Sequence, residues 1–216
     1  MTQGRLDELA AGLPPGSVSY LDREWLKGVG SLVPALSFAP DGEVSWRGRS
    51  VGRLADGADP TTVAAAAIVR IARDAAEAAS ERPHGGVEVV GAGLVAMHVR
   101  RLTGDARRSG VAPPEVVVDT TGDPEAIRSA LDRVSELGMV VLAGESAGAT
   151  LDLDLYSSVH RRGLVVVGIA PPLEGFDLAG ESDLGEGVLE ACLVELADVS
   201  SETPVPGDSL WYRFAS

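Results

Sequence analysis

Glycines spaced for phosphate binding mark the part of the chain with the clearest chemistry. In "VVGAGLVA", Gly91, Gly93 and Ala96 fit the pattern G-x-G-x-x-G/A between an apolar run and a helical pattern. Gly91 permits a tight turn, Gly93 lets backbone approach a pyrophosphate, and Ala96 lets the helix pack on the strand. The N-terminus of that helix faces the phosphates. The spacing therefore predicts that Gly91, Gly93, Leu94 and Val95 contact a dinucleotide.

Alternating strands and helices are expected to position this turn. Asp59 and Pro60 open an Ala-rich helix that runs to about Ser80, and a second helix follows the glycine turn. A third helix begins at Asp123 and Pro124 and is closed by Gly138, and a short helix is expected in "LDLDLYSSVHRRG". The unbroken apolar runs between them are strands: Val87–Val90, Glu115–Thr120, "MVVLAGESAG" and Leu164–Ile169. This alternation predicts a parallel sheet with helices on both faces.

Two further segments flank this α/β region. Residues 1–58 contain a short helix in "RLDELAAGL", a hairpin centred on Asp41-Gly42 and a strand in "RSVGRLAD". Residues 173–216 contain a helix from about Gly185 to Val199 and a last strand, "LWYRF". The predicted organisation is thus a small β-rich N-terminal segment (1–58), a reduced Rossmann-like domain (59–172) and a C-terminal helix and tail (173–216).

Ligands of doubly wound sheets lie beyond the carboxyl ends of the strands. Four segments of this chain are expected to converge there: Gly91–Val95, Asp119–Gly122, Gly144–Ser146 and Ile169–Pro171. Their convergence predicts a small-molecule site at this edge of the sheet.

Residues 53–170 resemble the cofactor half of the medium-chain dehydrogenase/reductase family, the alcohol dehydrogenase-like superfamily. "GRLADGADPTTVAAAAIVRIARDAA" resembles its bridging helix, and "VEVVGAGLVAMHVRRL" resembles its first Rossmann unit. "PEVVVDTTGDPEAIRSALDRVSELGMVVLAGESAG" and "LDLDLYSSVHRRGLVVVGI" resemble its fourth to sixth strands with their helices. The resemblance implies NAD(P) as cofactor. It also implies contacts to the nicotinamide side from Thr120, Thr121, Gly122, Gly144, Glu145 and Ile169.

The chain departs from this family in two places. The family carries a ribose-binding acid at the end of its second strand, about 20 residues past the glycines. Here "LTGDARRSGVAPP" leads directly to what resembles the fourth strand, so the second and third strands are predicted to be missing. The alternative is that Asp119 serves as the ribose acid. The segment 1–58 is also much shorter than the family's substrate domain. The sequence therefore leaves open whether NAD(P) binding is retained, weakened or lost.

The sequence predicts no metal site and assigns no catalytic residue. Its one cysteine, Cys192, falls in an apolar helical pattern, and no histidine precedes His84, so zinc catalysis is not expected. His98 and His160 are interpreted as packing or surface residues. Ser146 in "GESAG" fits G-x-S-x-G, but "ATLDLDL" follows it instead of a helix.

The composition of the chain limits the classes of partner that it is expected to bind and its expected location in the cell. The 216 residues carry a formal net charge of −14, which argues against binding to nucleic acid or to anionic membranes. The richest basic patch, "RRLTGDARR", is interpreted as a helix end. The N-terminus lacks a basic start and an apolar run, and no stretch is long enough to span a membrane, so a cytoplasmic protein is expected. Basic residues are nearly all arginine, with Lys27 the sole lysine, and alanine and glycine are abundant, which suggests a bacterial, GC-rich genome.

Three functions remain open from the sequence. The first is a zinc-free oxidoreductase acting on a small metabolite. The second is a non-redox cyclase, isomerase or dehydratase of specialised metabolism, and the third is a pseudoenzyme or partner subunit. A homodimer is expected through Leu164–Ile169, because this strand is apolar on both faces and no later strand obviously covers it. The alternative is that "LWYRF" folds back and covers that edge within one chain.

Overall fold

The chain divides into two compact units, each built around its own sheet. In a computed structural model, the structure describes residues 3–22, 36–46, 48–82, 86–91, 94–104, 113–144, 150–169, 193–195 and 211–215. One unit comprises residues 1–67 with 172–216, and the other comprises residues 68–171. The C-terminal strands therefore belong to the same unit as the N-terminal segment.

Helices and strands follow one another in this order: α1 (Gln3–Ala11), β1 (Val18–Asp22), β2 (Leu36–Phe38), β3 (Glu43–Trp46), β4 (Arg49–Arg53), α2 (Pro60–Ser80), β5 (Val87–Val90), α3 (Leu94–Thr103), β6 (Val116–Asp119), α4 (Pro124–Arg133), β7 (Met139–Leu142), a π-helical turn (Tyr156–His160), β8 (Val165–Gly168), β9 (Leu193–Glu195) and β10 (Trp211–Ala215). No helix among the described residues is long and apolar enough to cross a membrane.

The first unit contains a six-stranded sheet in the order β4-β3-β2-β1-β10-β9. The predicted hairpin is confirmed: β2 and β3 are antiparallel, with Phe38 opposite Val44. Its turn needs Gly42, whose φ of 86° lies in the left-handed region. The strand predicted in "RSVGRLAD" is also confirmed, as β4 pairs with β3.

The C-terminal segment differs from its sequence prediction. A helix was expected from about Gly185 to Val199, but Leu193–Glu195 forms β9, which runs parallel to β10 with Leu193 opposite Trp211. The helical prediction is wrong at these residues because pairing with a distant strand supplies the backbone hydrogen bonds there. The idea that "LWYRF" covers the edge of Leu164–Ile169 is also wrong. Strand β10 is paired with β1 on one side and with β9 on the other.

The second unit contains a parallel sheet in the order β5-β6-β7-β8, flanked by helices. This confirms the predicted α/β, Rossmann-like class with an additional β-rich segment. The predicted neighbours β5 and β6 pair directly, with Val87 opposite Val116. The core contains Val117 of β6 and Val140 of β7, together with Ala130, Leu131 and Val134 at α4. Central strands covered on both faces explain why these runs are apolar without alternation.

The observed helix starts agree with the capping residues predicted from the sequence, whereas the predicted end of α4 does not agree with the structure. Asp59 accepts from the backbone N–H of Thr62 at 2.9 Å, and Asp123 accepts from those of Glu125 and Ala126 at 2.8 and 3.0 Å. Helix α4 was expected to extend to Gly138, but it ends at Arg133. The structural reason is that Val134 turns extended and buries its side chain in the core.

Candidate functional site

The carboxyl ends of β5, β6 and β7 meet at one edge of the parallel sheet. The backbone N–H of Thr120 donates to the carbonyl of Val90 at 3.0 Å, and that of Gly144 donates to the carbonyl of Asp119 at 3.0 Å. These bonds bring three of the predicted contact segments together. The remaining segment joins them through β8, since the N–H of Ile169 donates to the carbonyl of Leu142 at 2.9 Å.

Two glycines at this edge are required by the packing of the protein itself. Gly91 has a φ of 114°, and a Cβ atom there would collide with the hydroxyl of Thr120. A Cβ atom on Gly144 would collide with the backbone of Thr120–Gly122. Side chains are therefore excluded from both positions, and this lets the ends of the three strands pack closely together.

Polar side chains of the β6 turn are bonded within the turn. The Thr121 hydroxyl donates to one carboxylate oxygen of Asp119 at 2.7 Å, and the N–H of Gly122 donates to the other at 3.0 Å. The Thr120 hydroxyl donates to the carbonyl of Val90 at 2.8 Å. Both threonine hydroxyl protons are thus used inside the protein.

Asp119 itself is buried. Its exposed fraction is 0%. Burial raises the pKa of Asp119 above its ordinary value, while the hydrogen bonds from Thr121 and Gly122 act in the opposite direction. With both oxygens engaged and no exposed surface, the carboxylate holds the turn together. The geometry does not support the alternative in which Asp119 binds ribose hydroxyls.

A guanidinium group lies at the outer side of β5. Arg100 of α3 donates through Nη2 to the carbonyl oxygens of Val89 and Gly91, at 2.9 and 2.6 Å. The carbonyls of Gly86 and Val90 face β6, so those of Val89 and Gly91 face away from it. Arg100 therefore occupies the side of β5 on which the full family fold places its second strand.

Sequence reasoning did not anticipate this role of Arg100. It interpreted "RRLTGDARR" as a helix end, and Arg100 and Arg101 do lie in the last turn of α3. The sequence did not reveal that the Arg100 side chain points toward β5. The predicted loss of the second strand was the available signal, because such a loss would leave carbonyls of β5 without their usual donors.

Several predicted site residues lie outside the described ranges: Gly93, Glu145, His84, Ser146 and Cys192. Leu94 and Val95 form the start of α3, directly after the glycine turn. The cofactor contacts stay predictions for all the residues to which they were assigned: Gly91, Gly93, Leu94, Val95, Thr120, Thr121, Gly122, Gly144, Glu145 and Ile169.

The two described histidines have separate structural surroundings. His98 in α3 is partly buried, and burial together with the nearby charge of Arg101 lowers the pKa of its imidazole. His160 stacks on Tyr156, with ring centroids 5.2 Å apart. It precedes β8, so it lies at the amino end of that strand, opposite the candidate site. Among the described residues, no cluster of three His, Cys, Asp or Glu side chains could hold a metal ion.

Comparison with known proteins finds solved structures that have a similar fold. No family model matches the sequence, and no curated protein matches it at a significant level. A protein from Sinorhizobium meliloti 1021, assigned as a zinc-binding dehydrogenase and solved bound to NADP, superposes with a TM-score of 0.51 and 14% identity. It is matched over 80% of this chain and 64% of its own. L-Idonate 5-dehydrogenase from Escherichia coli K-12 gives a TM-score of 0.50 and 14% identity, over 80% of this chain and 62% of its own.

The fold resembles that of these two dehydrogenases. At this identity the comparison establishes fold and leaves activity open. The chain spans less than two thirds of the length of either of these two dehydrogenases.

Proposed function

We propose that the protein is a zinc-independent, NAD(P)-dependent oxidoreductase that acts on a small metabolite in the cytoplasm. The observation that carries the proposal is the edge formed by Gly91, Thr120–Gly122 and Gly144. There the ends of three parallel strands present closely packed backbone, and a ten-residue helix begins just after the first strand.

This edge fits a dinucleotide in its donor chemistry. The N-terminus of α3 offers backbone N–H groups and a positive dipole end to a pyrophosphate. The absence of a side chain at Gly91 and Gly144 lets the ends of β5 and β7 pack closely against the β6 turn. Thr120–Gly122, Gly144 and Ile169 would hold the nicotinamide side. When bound, the nicotinamide would exchange a hydride with the substrate.

A second candidate function is a partner subunit whose cofactor binding is impaired. Arg100 favours it, because the group beside Gly91 at the outer side of β5 is a guanidinium. In the resembled family, a carboxylate accepts from the ribose hydroxyls on that side. A lost charged contact of ~1.5–3 kcal/mol would weaken binding roughly tenfold to a hundredfold. The two candidates therefore differ in affinity for NAD(P).

Fluorescence titration of NADPH and NADH against the whole chain tests the proposal. We expect saturable binding of at least one cofactor, with loss of binding in Gly93→Val, because a branched side chain would occupy the phosphate's approach path. Gly4→Ala is the matched control, since a Cβ atom at Gly4 meets nothing within 4 Å. Far-UV circular dichroism shows whether each variant keeps its fold.

The outcomes separate the two candidates. Binding in the wild type that Gly93→Val abolishes supports the oxidoreductase. Unchanged affinity in a folded Gly93→Val variant contradicts a pyrophosphate at the glycine turn. No binding of either cofactor at millimolar concentration overturns the redox function and leaves the partner subunit.

We also propose that the protein forms a homodimer along β8. In this strand Val165 and Val166 are exposed to 36% and 43%, although both are apolar. An apolar edge strand that remains accessible favours pairing with a second copy, and a two-fold interface is self-complementary.

A further inference from the structure

A row of four serines crosses the sheet of the first unit. Ser19 of β1 lies opposite Ser37 of β2, Ser37 lies opposite Ser45 of β3, and Ser45 lies opposite Ser50 of β4. Side chains of directly opposed residues point to the same face of a sheet. Four hydroxyl groups therefore line up across four strands, at the interstrand spacing of about 4.8 Å.

This serine face is buried at Ser19 and Ser37, half-buried at Ser45 and exposed at Ser50, whereas an ordinary antiparallel sheet would expose its whole polar face to water. Ser19 has an exposed fraction of 0% and Ser37 one of 5%. The opposite face of the same strands carries large apolar side chains, among them Tyr20, Phe38 and Trp46, which are also buried. Burial of the apolar face needs no further explanation, whereas burial of a hydroxyl row does.

A cavity of about 470 Å³ lies over the serine row. Its described lining combines Ser37, Ser45 and Ser50 with Leu9, Leu13 and Pro14, which belong to α1 and the loop after it. This volume lies within the range of roughly 300–1,000 Å³ that small-molecule sites occupy. The combination of apolar walls and a few convergent polar groups is also typical of such sites.

The hydroxyl groups of this row hold more protons than their hydrogen bonds to one another use. The hydroxyls of Ser37 and Ser45 lie 3.1 Å apart and share one hydrogen bond. The pair holds two hydroxyl protons, so the second proton needs another acceptor. The hydroxyl of Ser19, in the same row but outside the lining of the cavity, is buried and has no hydrogen-bond partner among the described residues. The donor capacity that the cavity itself offers is therefore that of Ser37 and Ser45.

We infer that this cavity binds a neutral small molecule that carries several hydroxyl groups along one side. Serine hydroxyls both donate and accept, as do the hydroxyls of a polyol, so the two rows satisfy each other. The walls formed by Leu9 and Leu13 contact the carbon skeleton. The exposed carboxylates of Glu8 and Glu43, also in the lining, accept from further hydroxyls and disfavour an anion. The inference is independent of the proposed cofactor site.

The competing explanation is structural. A Ser–Ser pair can stabilise two neighbouring strands by itself, and water can fill a polar cavity. The double variant Ser37→Ala/Ser45→Ala separates the two explanations, because removing both partners of a buried hydrogen bond is close to neutral for stability. A binding role predicts lost ligand affinity with an unchanged midpoint of urea unfolding. Ser129→Ala, on the exposed surface of α4, is the matched control.

Saturation-transfer NMR with the full chain provides the binding measurement. The probes are xylitol and sorbitol as neutral polyols, butylamine as a cation and gluconate as a hydroxylated anion. We expect transfer from the protein to at least one polyol, no transfer to gluconate, and weakening of about tenfold or more in the double variant, since two hydrogen bonds are lost. Ser129→Ala should bind the polyol as the wild type does.

Three outcomes would overturn the inference. One is the absence of saturation transfer to either polyol at millimolar concentration. Another is unchanged polyol affinity in the folded double variant. The third is transfer to butylamine or gluconate without transfer to a polyol, which would assign the cavity to a charged ligand. None of these results bears on NADPH titration, so the cofactor proposal stands or fails separately.

Discussion

The guanidinium of Arg100 donates to the carbonyl oxygen of Gly91 at 2.6 Å and also reaches the carbonyl of Val89 at 2.9 Å. Both carbonyls lie on the side of β5 that faces away from β6. An unpaired strand edge exposes such groups and invites association with other strands, and a charged side chain is one of the ways in which proteins protect it. Arg100 thus supplies two of the donor contacts that a neighbouring strand would otherwise provide.

Replacing Arg100 should weaken the second unit. Arg100→Leu keeps the aliphatic stem and removes both hydrogen bonds, so the free energy of unfolding should fall by about 1–2 kcal/mol. Urea unfolding followed by far-UV circular dichroism measures the change. Arg101→Leu is the matched control, as an exposed arginine next in the same helix. Equal stabilities of the two variants would contradict the protective role of Arg100.

The contact of Gly144 with the β6 turn predicts a steric effect. Gly144→Ala places a methyl group against the backbone of Thr120–Gly122, so the strand ends must separate. We expect a loss of roughly 1–3 kcal/mol in the free energy of unfolding, as for other overpacked sites. Gly168→Ala is the control, because a Cβ atom there meets nothing within 4 Å. A Gly144→Ala variant as stable as Gly168→Ala would show that the strand ends separate at no cost.

The buried carboxylate of Asp119 predicts a pH dependence of stability. Burial raises the pKa of Asp119 in the folded state, so the folded protein binds this proton more tightly than the unfolded chain does. The contribution of Asp119 is therefore greatest at low pH. It declines as the pH rises from the unfolded value of about 3.9 through the higher folded pKa.

Comparison of wild type with Asp119→Asn isolates this contribution. The difference in unfolding free energy, wild type minus variant, should fall across that window and then level off. Asp132→Asn, on the exposed surface of α4, controls for the loss of a carboxylate. A difference that rises with pH would mean that the hydrogen bonds from Thr121 and Gly122 outweigh burial.

Proline at Val166 tests the homodimer without breaking the sheet within one chain. The N–H groups of Val165 and Ile169 donate toward β7, so that of Val166 points to the free side of β8. Val166→Pro removes a donor that no described residue of the same chain uses and that a second copy could use. Light scattering should show a dimer for the wild type and a smaller species for the variant. A wild-type monomer would contradict the dimer. A folded Val166→Pro dimer would place the interface elsewhere.

Local signals in the sequence were sufficient for the architecture of the second unit. The apolar runs at the central strands β6 and β7 have no alternation, which is what strands covered on both faces require. Asp59 and Asp123 act as caps through their own neighbouring backbone, so each helix start could be read from a few adjacent residues. The hairpin at Gly42 is likewise a local feature, set by its left-handed backbone. Together these signals also located the strand ends where the candidate site lies.

Only the tertiary structure decided the features that join distant segments. Leu193–Glu195 has an apolar pattern compatible with a helix, and it is a strand because β10 lies beside it. The orientation of Arg100, the burial of Asp119 and the alignment of Ser19, Ser37 and Ser45 depend equally on partners far along the chain. Helix caps and turns are stabilised within a few residues, whereas strand partners and buried polar groups are selected by the whole fold. The sequence by itself therefore determined the helix starts, the hairpin and the strands of the second unit, whereas tertiary packing determined the strand at Leu193–Glu195 and which polar groups face one another.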